Sequence, residues 1–431
     1  MHPSSNLYLL RRATNSLSIL VVGNCLFLNF IKKKMSNLQE ILVDKLKSDL
    51  PGYRKLKVCT LISNPTHCKP PLYPYSQDLL SNPPFQKLLI TFAELNDHDS
   101  LVFTCSTEIH VYHLDKKFLI YVSKVDTTGY GKSPSPLNVA IESVLEYYNK
   151  MDENIVWVSV FARAQHAYLF PNSDKNDKKR VLSDSQLQKW WKLTLNNLNF
   201  DKKWFFLPGY TKDEASSILK CDNGWIYGNP YQSLDFNNFD NKLSNLIPNF
   251  DDDPKSRFLE ELANSIEALD GRSLKKVKRN THSIDDKIEK KREQSTALNS
   301  TTLDEFWERL GFRQECSSGR VTGFFYLSLK KDNEIISKPN EKLISIELFH
   351  RLLGIMMNSE FESIESTQNA TKSWLENIEK LIDDVHTIFT PLIEIKNEHK
   401  LIARKDKSES HDNVKPQVLT VRKKKRPANE N

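Results

Sequence analysis

Between Tyr53 and Val125 the apolar residues are grouped in four runs that are rich in β-branched and aromatic side chains. This composition is typical of β-strands, and the runs read LKVCTLI, KLLITFAEL, SLVFTCSTEIHVYHL and KFLIYVSKV. His110 and His113 are three positions apart in the third run, so a strand would turn them to opposite faces and make them poor metal co-ligands. The segment is therefore predicted to be mostly β-structure.

Elsewhere the spacing of apolar residues predicts helices with a few strands between them. An amphipathic helix follows Met35, with Leu38, Ile41, Leu42 and Leu46 on its apolar face. Further helices are predicted at Leu137–Tyr148, from Ser183, at Asp213–Cys221, after Pro254, and at Thr302–Gln314, Ile344–Met357 and Ser373–Phe389. Further strands are predicted at Trp157–Ala164 and Trp204–Pro208 and in VTGFFYLSL.

Residues 1–34 form an N-terminal extension of doubtful status. Their apolar run, Leu17 to Ile31, is about fifteen residues long, whereas a membrane span needs roughly 20. Basic residues flank the run, as in a signal peptide, but no small-residue cleavage site follows it. We interpret Met35 as the working start and the leader as an upstream extension of the reading frame; a membrane anchor is the competing interpretation.

Two polar, basic stretches lack apolar periodicity. Gly271–Ser300 is predicted to be a mobile insert, and residues 401–431 a disordered basic tail. Within the tail, Arg422–Arg426 is a basic run typical of nuclear-import signals or nucleic-acid contacts.

The overall composition says less about function than the positions of the charged residues and cysteines along the chain. The formal net charge of +6 over 431 residues is too mild to indicate a nucleic-acid partner by itself. The cysteines show no C-x-x-C pair and no metal-finger spacing, which predicts free thiols in a reducing compartment and no metal. They are Cys25, Cys59, Cys68, Cys105, Cys221 and Cys316.

The most informative stretch is Phe161–Trp191. It joins a predicted strand end, a loop closed by Lys178, Lys179 and Arg180, and a helix that carries paired tryptophans. Backbone N–H groups at a helix start and clustered cations suit a phosphate-bearing ligand. On spacing alone, a solvated basic loop beside two core tryptophans explains the same pattern.

Two other patterns are weaker. Gly131-Lys132-Ser133 has the ending of a P-loop, but the first glycine of that motif would fall on Asp126, so the motif fails. Three aspartates precede Pro254, an arrangement that helix capping and the helix dipole favour without any function.

Several blocks in the same order carry a resemblance over nearly the whole chain from Met35. They are VSKVDTTGY (Val122–Tyr130), FAR and YLFPNSDKNDKK (Phe161–Lys179), LQKWW (Leu187–Trp191), FDDDPKSRFLEELA (Phe250–Ala263), TLDEFW (Thr302–Trp307) and the PQVLTVRKKKRP tail. The chain resembles the fungal histone acetyltransferases that modify a core lysine of histone three. That family is structurally related to the metazoan CREB-binding-protein acetyltransferases.

The resemblance implies a fold and a co-substrate. The fold would be a single α/β domain over residues 35–400, with a central mixed sheet surrounded by helices. Acetyl-coenzyme A would donate the acetyl group to a lysine amine. The residues that would hold it are Phe161, Arg163, Ala164, Gln165, His166, Ala167, Tyr168, Lys179 and Arg180.

The resemblance also implies an acceptor site. Asp126 and Trp191 would orient the incoming lysine, and Asp253, with Asp252, would serve its deprotonation and the loop geometry. A lysine amine has a pKa of about 10.4 and must lose a proton before it attacks, which explains a carboxylate and an apolar wall there. Lys255 matches a lysine that the family acetylates on itself. Asp126 as a mere turn residue, and Lys255 as a solvated residue at a helix start, are the alternatives.

Partners and location follow from the same resemblance. Family members act in the nucleus on histone three, with histone four, alongside chaperones of the nucleosome-assembly and anti-silencing types. Here the connection at Met151–Val156 is shorter and the insert Gly271–Ser300 longer than in the relative compared, which changes the expected docking. We expect the insert and tail to contact acidic chaperone surfaces or DNA. The alternative function is a non-catalytic chromatin or chaperone-binding module on the same fold.

Overall fold

A mixed β-sheet of ten strands forms the centre of the molecule, in the order β10-β9-β11-β8-β7-β6-β5-β3-β12, with β4 paired to β5. The strands are β1 (Ile19–Val22), β2 (Cys25–Leu28), β3 (Gly52–Ile62), β4 (Thr66–His67), β5 (Pro84–Leu95), β6 (Leu101–Leu114), β7 (Lys117–Thr127), β8 (Ile155–Ala162), β9 (Lys202–Phe206), β10 (Trp225–Tyr227), β11 (Gly323–Lys330) and β12 (Ile393–Asn397). Among the described residues, strands β1 and β2 pair with each other in a separate two-stranded sheet. Within the large sheet, β7 with β8 and β9 with β10 are parallel, whereas the other pairs are antiparallel.

The structure is a computed structural model, and it describes residues 19–22, 25–28, 37–76, 82–115, 117–151, 155–198, 200–220, 224–231, 242–269, 284–313, 321–330 and 341–397. Its helices are α1 (Leu38–Asp49), α2 (Leu137–Asn149), α3 (Asp184–Asn196), α4 (Lys212–Leu219), α5 (Leu243–Leu246), α6 (Pro254–Leu269), α7 (Ile284–Asn299), α8 (Leu303–Gly311), α9 (Ile346–Met357) and α10 (Ile364–Leu381). No helix in these ranges is long and apolar enough to span a bilayer.

Helices cover both faces of the sheet because alternate side chains of each strand point to opposite faces. On one face, Val58, Ile120 and Val158 pack in a core shared with α1 to α4. On the other face, one end of the sheet packs against α5 to α8, and the other end packs against α9 and α10. The predicted architecture, a single α/β unit with a central mixed sheet between helices, is confirmed.

The four predicted strands between Tyr53 and Val125 correspond to β3, β5, β6 and β7. His110 is buried and bonds to Glu108, whereas His113 bonds to Gln86, so the two histidines do not share a ligand. Most predicted helices are also found. Their starts are marked by side-chain caps, as at Ser183 and Thr302.

Two predictions need correction. The helix predicted at Ser373–Phe389 runs instead over Ile364–Leu381, where a capping box at Ser363 begins it. Part of the predicted mobile insert Gly271–Ser300 is helix α7, whose Leu298 is fully buried against the core beside α6. Residues 270–283, the 401–431 tail and most of the 1–34 leader lie outside the described residues, so the predictions made for them stay predictions.

Candidate active site

A cleft opens where the two central parallel strands separate. Pairing between β7 and β8 ends at Val122 opposite Val160. Beyond that point β7 continues beside β6 as far as Thr127, and β8 continues beside β11 as far as Ala162. Because each strand follows its other neighbour, the two chain segments diverge and leave a cavity of about 550 Å³ between them.

The cleft has a cationic rim and an apolar wall. Its basic residues are Lys132, Arg163, Lys178, Lys179 and Arg180, and its larger apolar ones are Val125, Leu137, Val181, Leu182, Leu187 and Trp190. Tyr168, Gln165 and the loop Gly129–Ser135 complete the lining. A ligand with phosphates at one end and a long, weakly polar arm matches this distribution.

Asp126, at the end of β7, holds the loop that forms one side of the cleft. Its Oδ2 accepts hydrogen bonds from the backbone N–H groups of Tyr168, Leu169 and Phe170, at 2.7, 2.8 and 3.1 Å. Its Oδ1 accepts from the N–H of Thr127 and from Lys179 Nζ, both at 2.8 Å. All acceptor capacity of this buried carboxylate is therefore directed at the protein. Asp126 also lines the cleft, and its predicted role in orienting the incoming lysine stays a prediction.

The loop is also held by a close backbone approach. Asn176 is buried and donates from Nδ2 to the carbonyl of Thr128 at 2.9 Å. Gly129 has a φ of +92°, and a Cβ added to it would stand 2.6 Å from the backbone nitrogen of Lys179. A side chain at position 129 would therefore be strained and would collide with the loop.

Helix α3 forms the apolar wall. Its N-cap Ser183 makes a capping box with Gln186, which fixes the helix start. One turn later the fully buried Gln188 donates from Nε2 to the carbonyls of Ala162 and Val321, both at 3.0 Å. This docking places α3 at the end of β8 and orients Trp190 toward the cleft.

Trp191, which is predicted to orient the incoming lysine, and its neighbour Trp190 differ in exposure. Trp191 is 4% exposed and lies in the core, whereas Trp190 is half-buried and lines the cleft. The two rings meet edge to face, with centroids 4.9 Å apart. Trp191 therefore supports the wall, and Trp190 supplies its surface.

The predicted cofactor residues divide into two groups. Those that line the cleft are Arg163, Ala164, Gln165, Tyr168, Lys179 and Arg180. His166 lines a smaller neighbouring cavity of about 260 Å³. Phe161 points to the other face of the sheet, where it stacks on Phe324 at 5.1 Å, and Ala167 is absent from the lining of both cavities.

Arg163 and Tyr168, which line the cleft, differ in how their polar groups are satisfied. Arg163 Nε is buried, and no hydrogen-bond partner for it is found in the described part of the chain. Burying an unpaired donor is unfavourable, so this group is one that a ligand would satisfy. Tyr168 donates its hydroxyl to the Arg163 carbonyl at 2.7 Å. Burial raises the pKa of Tyr168, Arg163 opposes that shift, and the charges of Asp126 and Asp252 add to it.

Asp252 and Asp253 sit in contrasting environments. Asp252 has a φ of +61°, its side chain is 71% exposed, and its Oδ2 lies 3.8 Å from Lys124 Nζ. Asp253 is fully buried, and its carboxylate accepts from the backbone N–H of Lys255 at 2.9 Å and from Lys255 Nζ. Asp252 is therefore open to solvent, whereas the Asp253 carboxylate is occupied by Lys255, and the predicted role of both in deprotonation stays a prediction.

Lys255 is not the solvated lysine of the alternative interpretation. It is fully buried, and its Nζ lies over the ring of Phe324 at 4.2 Å, within 6.0 Å of the rings of Tyr326 and Phe250. The ion pair with Asp253 and these cation–π contacts hold the charge in the interior.

Sequence reasoning missed part of the cleft. Lys132 and Ser133 line the cleft, although their stretch fails the P-loop pattern. Lys178 also lines the cleft, although the resemblance implies no site role for this loop cation. The signal in the sequence that could have indicated Lys132 is its position directly after a segment with two glycines, Gly129 and Gly131.

Comparisons with known proteins identify the family of the chain. The profile of the histone acetyltransferase KAT11-type domain matches residues 42–160 and 151–377. The chain is 27% identical to histone acetyltransferase Rtt109 of Schizosaccharomyces pombe over 361 residues, which cover 75% of this chain and 85% of that protein. It is 28% identical to histone acetyltransferase Rtt109 of Aspergillus flavus over 340 residues, which cover 68% of this chain and 57% of the relative.

A solved structure shares the fold. The crystal structure of Rtt109 from Aspergillus fumigatus superposes with a TM-score of 0.66 at 23% identity, and the match covers 83% of this chain and 99% of that one. The family profile extends over both parallel strands of the cleft and over the acidic residues that follow it. The chain belongs to the family of histone acetyltransferases with a KAT11-type domain.

Proposed function

We propose that this acetyltransferase moves the acetyl group of acetyl-coenzyme A to lysines of newly made histone three, presented with histone four by a histone chaperone. The setting would be replication-coupled chromatin assembly and genome stability in the nucleus. The observation that carries the proposal is the cleft between β7 and β8, with its cationic rim and its apolar wall.

Acetyl-coenzyme A is the co-substrate of the family, and the residues of the cleft fit it. Lys178 and Arg180 are exposed at the rim, where they would pair with phosphates. The unpaired Nε of Arg163 would donate to the ligand, and Leu187 and Trp190 would face its pantetheine arm. When bound, acetyl-coenzyme A supplies the thioester carbonyl that the lysine amine attacks.

Asp126 and Tyr168 would have different roles around the bound acetyl-coenzyme A. Asp126, through Lys179 and the backbone of Tyr168 to Phe170, fixes the cleft wall and acts as a positioning residue. Tyr168 lines the cleft. Burial raises the pKa of its hydroxyl and the charges of Asp126 and Asp252 add to that rise, so we infer that the acceptor side lies near Tyr168.

Asp252 would receive the ammonium of the incoming lysine and accept its proton directly or through water. The amine nitrogen forms the new bond to the acetyl carbon, the carbon–sulfur bond breaks, and the thiolate leaves and takes up a proton. Much of the rate would come from positioning the two reactants, because the carboxylate is open to solvent.

Lys255 is the proposed site of self-acetylation. Its amine is fully buried against Asp253, so transfer to it requires the segment Phe250–Lys255 to open first. Acetylation would remove the positive charge and leave the buried Asp253 carboxylate without its counter-ion. Mass spectrometry of the purified protein, with and without acetyl-coenzyme A, tests this assignment; an unmodified Lys255 in active protein would contradict it.

Partner docking is proposed to involve basic surfaces. Helix α7 carries the exposed Lys290 and Arg292 between the exposed Glu289 and Glu293, so these cations would contact acidic chaperone surfaces or DNA only as local sites. The tail at residues 401–431 would add to this surface. Deleting the tail and replacing both α7 cations with glutamine should weaken chaperone binding, most strongly at low salt.

The function is tested by incubating the protein with labelled acetyl-coenzyme A and histone three–histone four, with each chaperone type and without. We expect label on histone three lysines and a higher rate with a chaperone. Asp252→Asn should lower kcat about tenfold with little change in KM for acetyl-coenzyme A. Asp384→Asn is the matched control, because Asp384 is also exposed and has a φ of +57°. Cofactor binding without transfer under every condition would instead favour a non-catalytic binding module.

A further inference from the structure

A buried charge cluster lies in the sheet next to the acceptor side and has no part in the cleft. It consists of Glu108 and His110 on β6, Lys87 on β5 and Lys124 on β7. The Glu108 side chain is 1% exposed, and its carboxylate contacts His110 Nε2 at 2.9 Å, Lys124 Nζ at 2.9 Å and Lys87 Nζ at 3.5 Å. In the sheet Glu108 is paired with Lys124 across β6 and β7, so the backbone register itself brings these two together.

The two lysines reach outward from the cluster to the acidic loop, Asp251–Asp253. Lys124 Nζ lies 3.8 Å from Asp252 Oδ2, and Lys87 Nζ lies 3.8 Å from Asp251 Oδ2. One buried carboxylate is therefore connected, through two separate cations, to two consecutive residues of the loop. The Tyr121 hydroxyl adds a third attachment by donating to the Asp251 carbonyl at 3.3 Å.

Protonation states support a fixed arrangement. Burial alone would raise the pKa of Glu108, but the hydrogen bond from His110 and the charges of Lys124 and Lys87 bring that pKa well below its usual range. Burial lowers the pKa of His110, so the imidazole is neutral near pH 7 and donates Nε2–H to Glu108. Glu108 is thus a permanent anion that holds two cations.

The loop needs such support because of its backbone. Asp252 adopts the left-handed conformation, which is uncommon for residues other than glycine, and its side chain is 71% exposed. Among the ion pairs of the described residues, the contact with Lys124 is the one recorded for Asp252. The position of Lys124 thus influences where the Asp252 carboxylate stands.

We propose that Glu108 is a positioning residue for acetyl transfer, which acts through Lys124 and Lys87 to set the place of the acidic loop beside the acceptor lysine. The inference rests on the proposed role of Asp252 on the acceptor side. Glu108 itself is sealed inside the sheet and does not touch either substrate.

The test is steady-state kinetics of Glu108→Gln, Lys124→Met and Asp252→Asn, each alone, and of Glu108→Gln combined with Asp252→Asn. Glu108→Gln should lower kcat about tenfold, with KM for acetyl-coenzyme A changed less than twofold, because the cleft is untouched. Lys124→Arg, which retains the charge, should recover most of the activity that Lys124→Met loses.

The double variant distinguishes positioning from general damage to the fold. If Glu108 acts through Asp252, the double variant should be no slower than the slower single variant, whereas independent damage would multiply the two losses. Glu146→Gln is the matched control, because Glu146 also contacts two lysines, Lys45 and Lys150, but on α2. It should retain wild-type kcat.

Outcomes for the two proposals are separable. Wild-type kcat in Glu108→Gln, or multiplied losses in the double variant, would overturn the positioning role while a slow Asp252→Asn left the proposed function intact. A wild-type Asp252→Asn would contradict the acceptor-side assignment itself. If Glu108→Gln does not fold, Lys124→Met, at a site with 21% side-chain exposure, carries the same kinetic comparison with Lys124→Arg and Asp252→Asn.

Discussion

The ammonium of Lys179 lies 2.8 Å from the carboxylate of Asp126, and both side chains are only 5% exposed. The pair joins the end of β7 to a loop more than fifty residues later in the chain. It therefore fixes the width of the cleft, and Lys179 also donates to Ser173 Oγ at 2.7 Å. Lys179, which the resemblance predicts to be a cofactor ligand and which lines the cleft, is thus also part of the frame that shapes the ligand site.

Replacing Asp126 with asparagine should destabilise the protein and impair catalysis together. Removing one partner of a buried ion pair leaves the other charge unpaired, which costs about 3–5 kcal/mol in the free energy of unfolding. Urea denaturation measures that loss, and kinetics should show a raised KM for acetyl-coenzyme A. Asp177→Asn, an exposed change in the same loop, should alter stability by less than about 0.5 kcal/mol. Equal effects of the two changes would refute the framing role.

Gly129→Ala should weaken acetyl-coenzyme A binding. The added Cβ would lie 2.6 Å from the Lys179 nitrogen at a φ of +92°, so the loop must shift and the cationic rim must move with it. Isothermal titration with acetyl-coenzyme A is the measurement. Gly354→Ala is the control, because Gly354 lies within α9 with open space around its Cβ position, and alanine there should be neutral or stabilising. Unchanged affinity for acetyl-coenzyme A in Gly129→Ala would show that the close approach of Gly129 to the Lys179 backbone is not essential for binding.

Lys255→Met should be more damaging alone than in combination with Asp253→Asn. The single change leaves a fully buried carboxylate without its cation, whereas the double change removes both charges. We expect a loss of about 3–5 kcal/mol for the single variant and a clearly smaller loss for the double variant. Chemical denaturation of the two proteins decides; a double variant that is less stable than the single one would contradict this account.

The stability of the protein should fall as the pH drops from 7 to 5. Burial lowers the pKa of His110, so the unfolded chain, where histidine has a pKa of about 6.5, binds more protons than the folded one in this range. Burial lowers the pKa of His350 in the same direction. Glu108 contributes little to this slope, because its lowered pKa yields stability that is lost only below about pH 4.3.

The free energy of unfolding, measured by chemical denaturation at each pH from 7 to 5, should therefore depend less on pH in His110→Gln than in the wild type. Glutamine can still donate a hydrogen bond to Glu108. His98→Gln, a change at an exposed position, should retain the wild-type slope. An identical slope in all three proteins would assign the pH dependence to other groups.

Local signals in the sequence were sufficient for much of the fold. Strands β3, β5, β6 and β7 are long and apolar, and the starts of helices with a clear cap, such as α3 and α8, are predicted within one residue. Helix α10 begins with the polar stretch after Ser363, so its first turns carry little apolar signal. Helix α7 is largely exposed and depends on tertiary contacts near Leu298, which composition does not reveal.

The candidate site depends on contacts that are distant in sequence. Which of Trp190 and Trp191 faces the cleft is decided by the rotation of α3, and Gln188 fixes that rotation by bonding to strand ends on β8 and before β11. The role of Asp126 likewise depends on donors from residues 168–170 and 179. Adjacent aspartates 252 and 253 differ completely in burial because one faces solvent and the other faces Lys255. No local pattern distinguishes these alternatives.

The most direct test of the central claim, that the β7–β8 cleft holds acetyl-coenzyme A for transfer to histone lysine, is the KM for acetyl-coenzyme A in Arg163→Gln. Arg163 lines the cleft with an unpaired buried Nε, and Arg309→Gln, at an exposed arginine on α8, is the control. We predict a KM at least about tenfold higher in Arg163→Gln and unchanged in Arg309→Gln. A wild-type KM in folded Arg163→Gln protein would contradict the placement of acetyl-coenzyme A in this cleft.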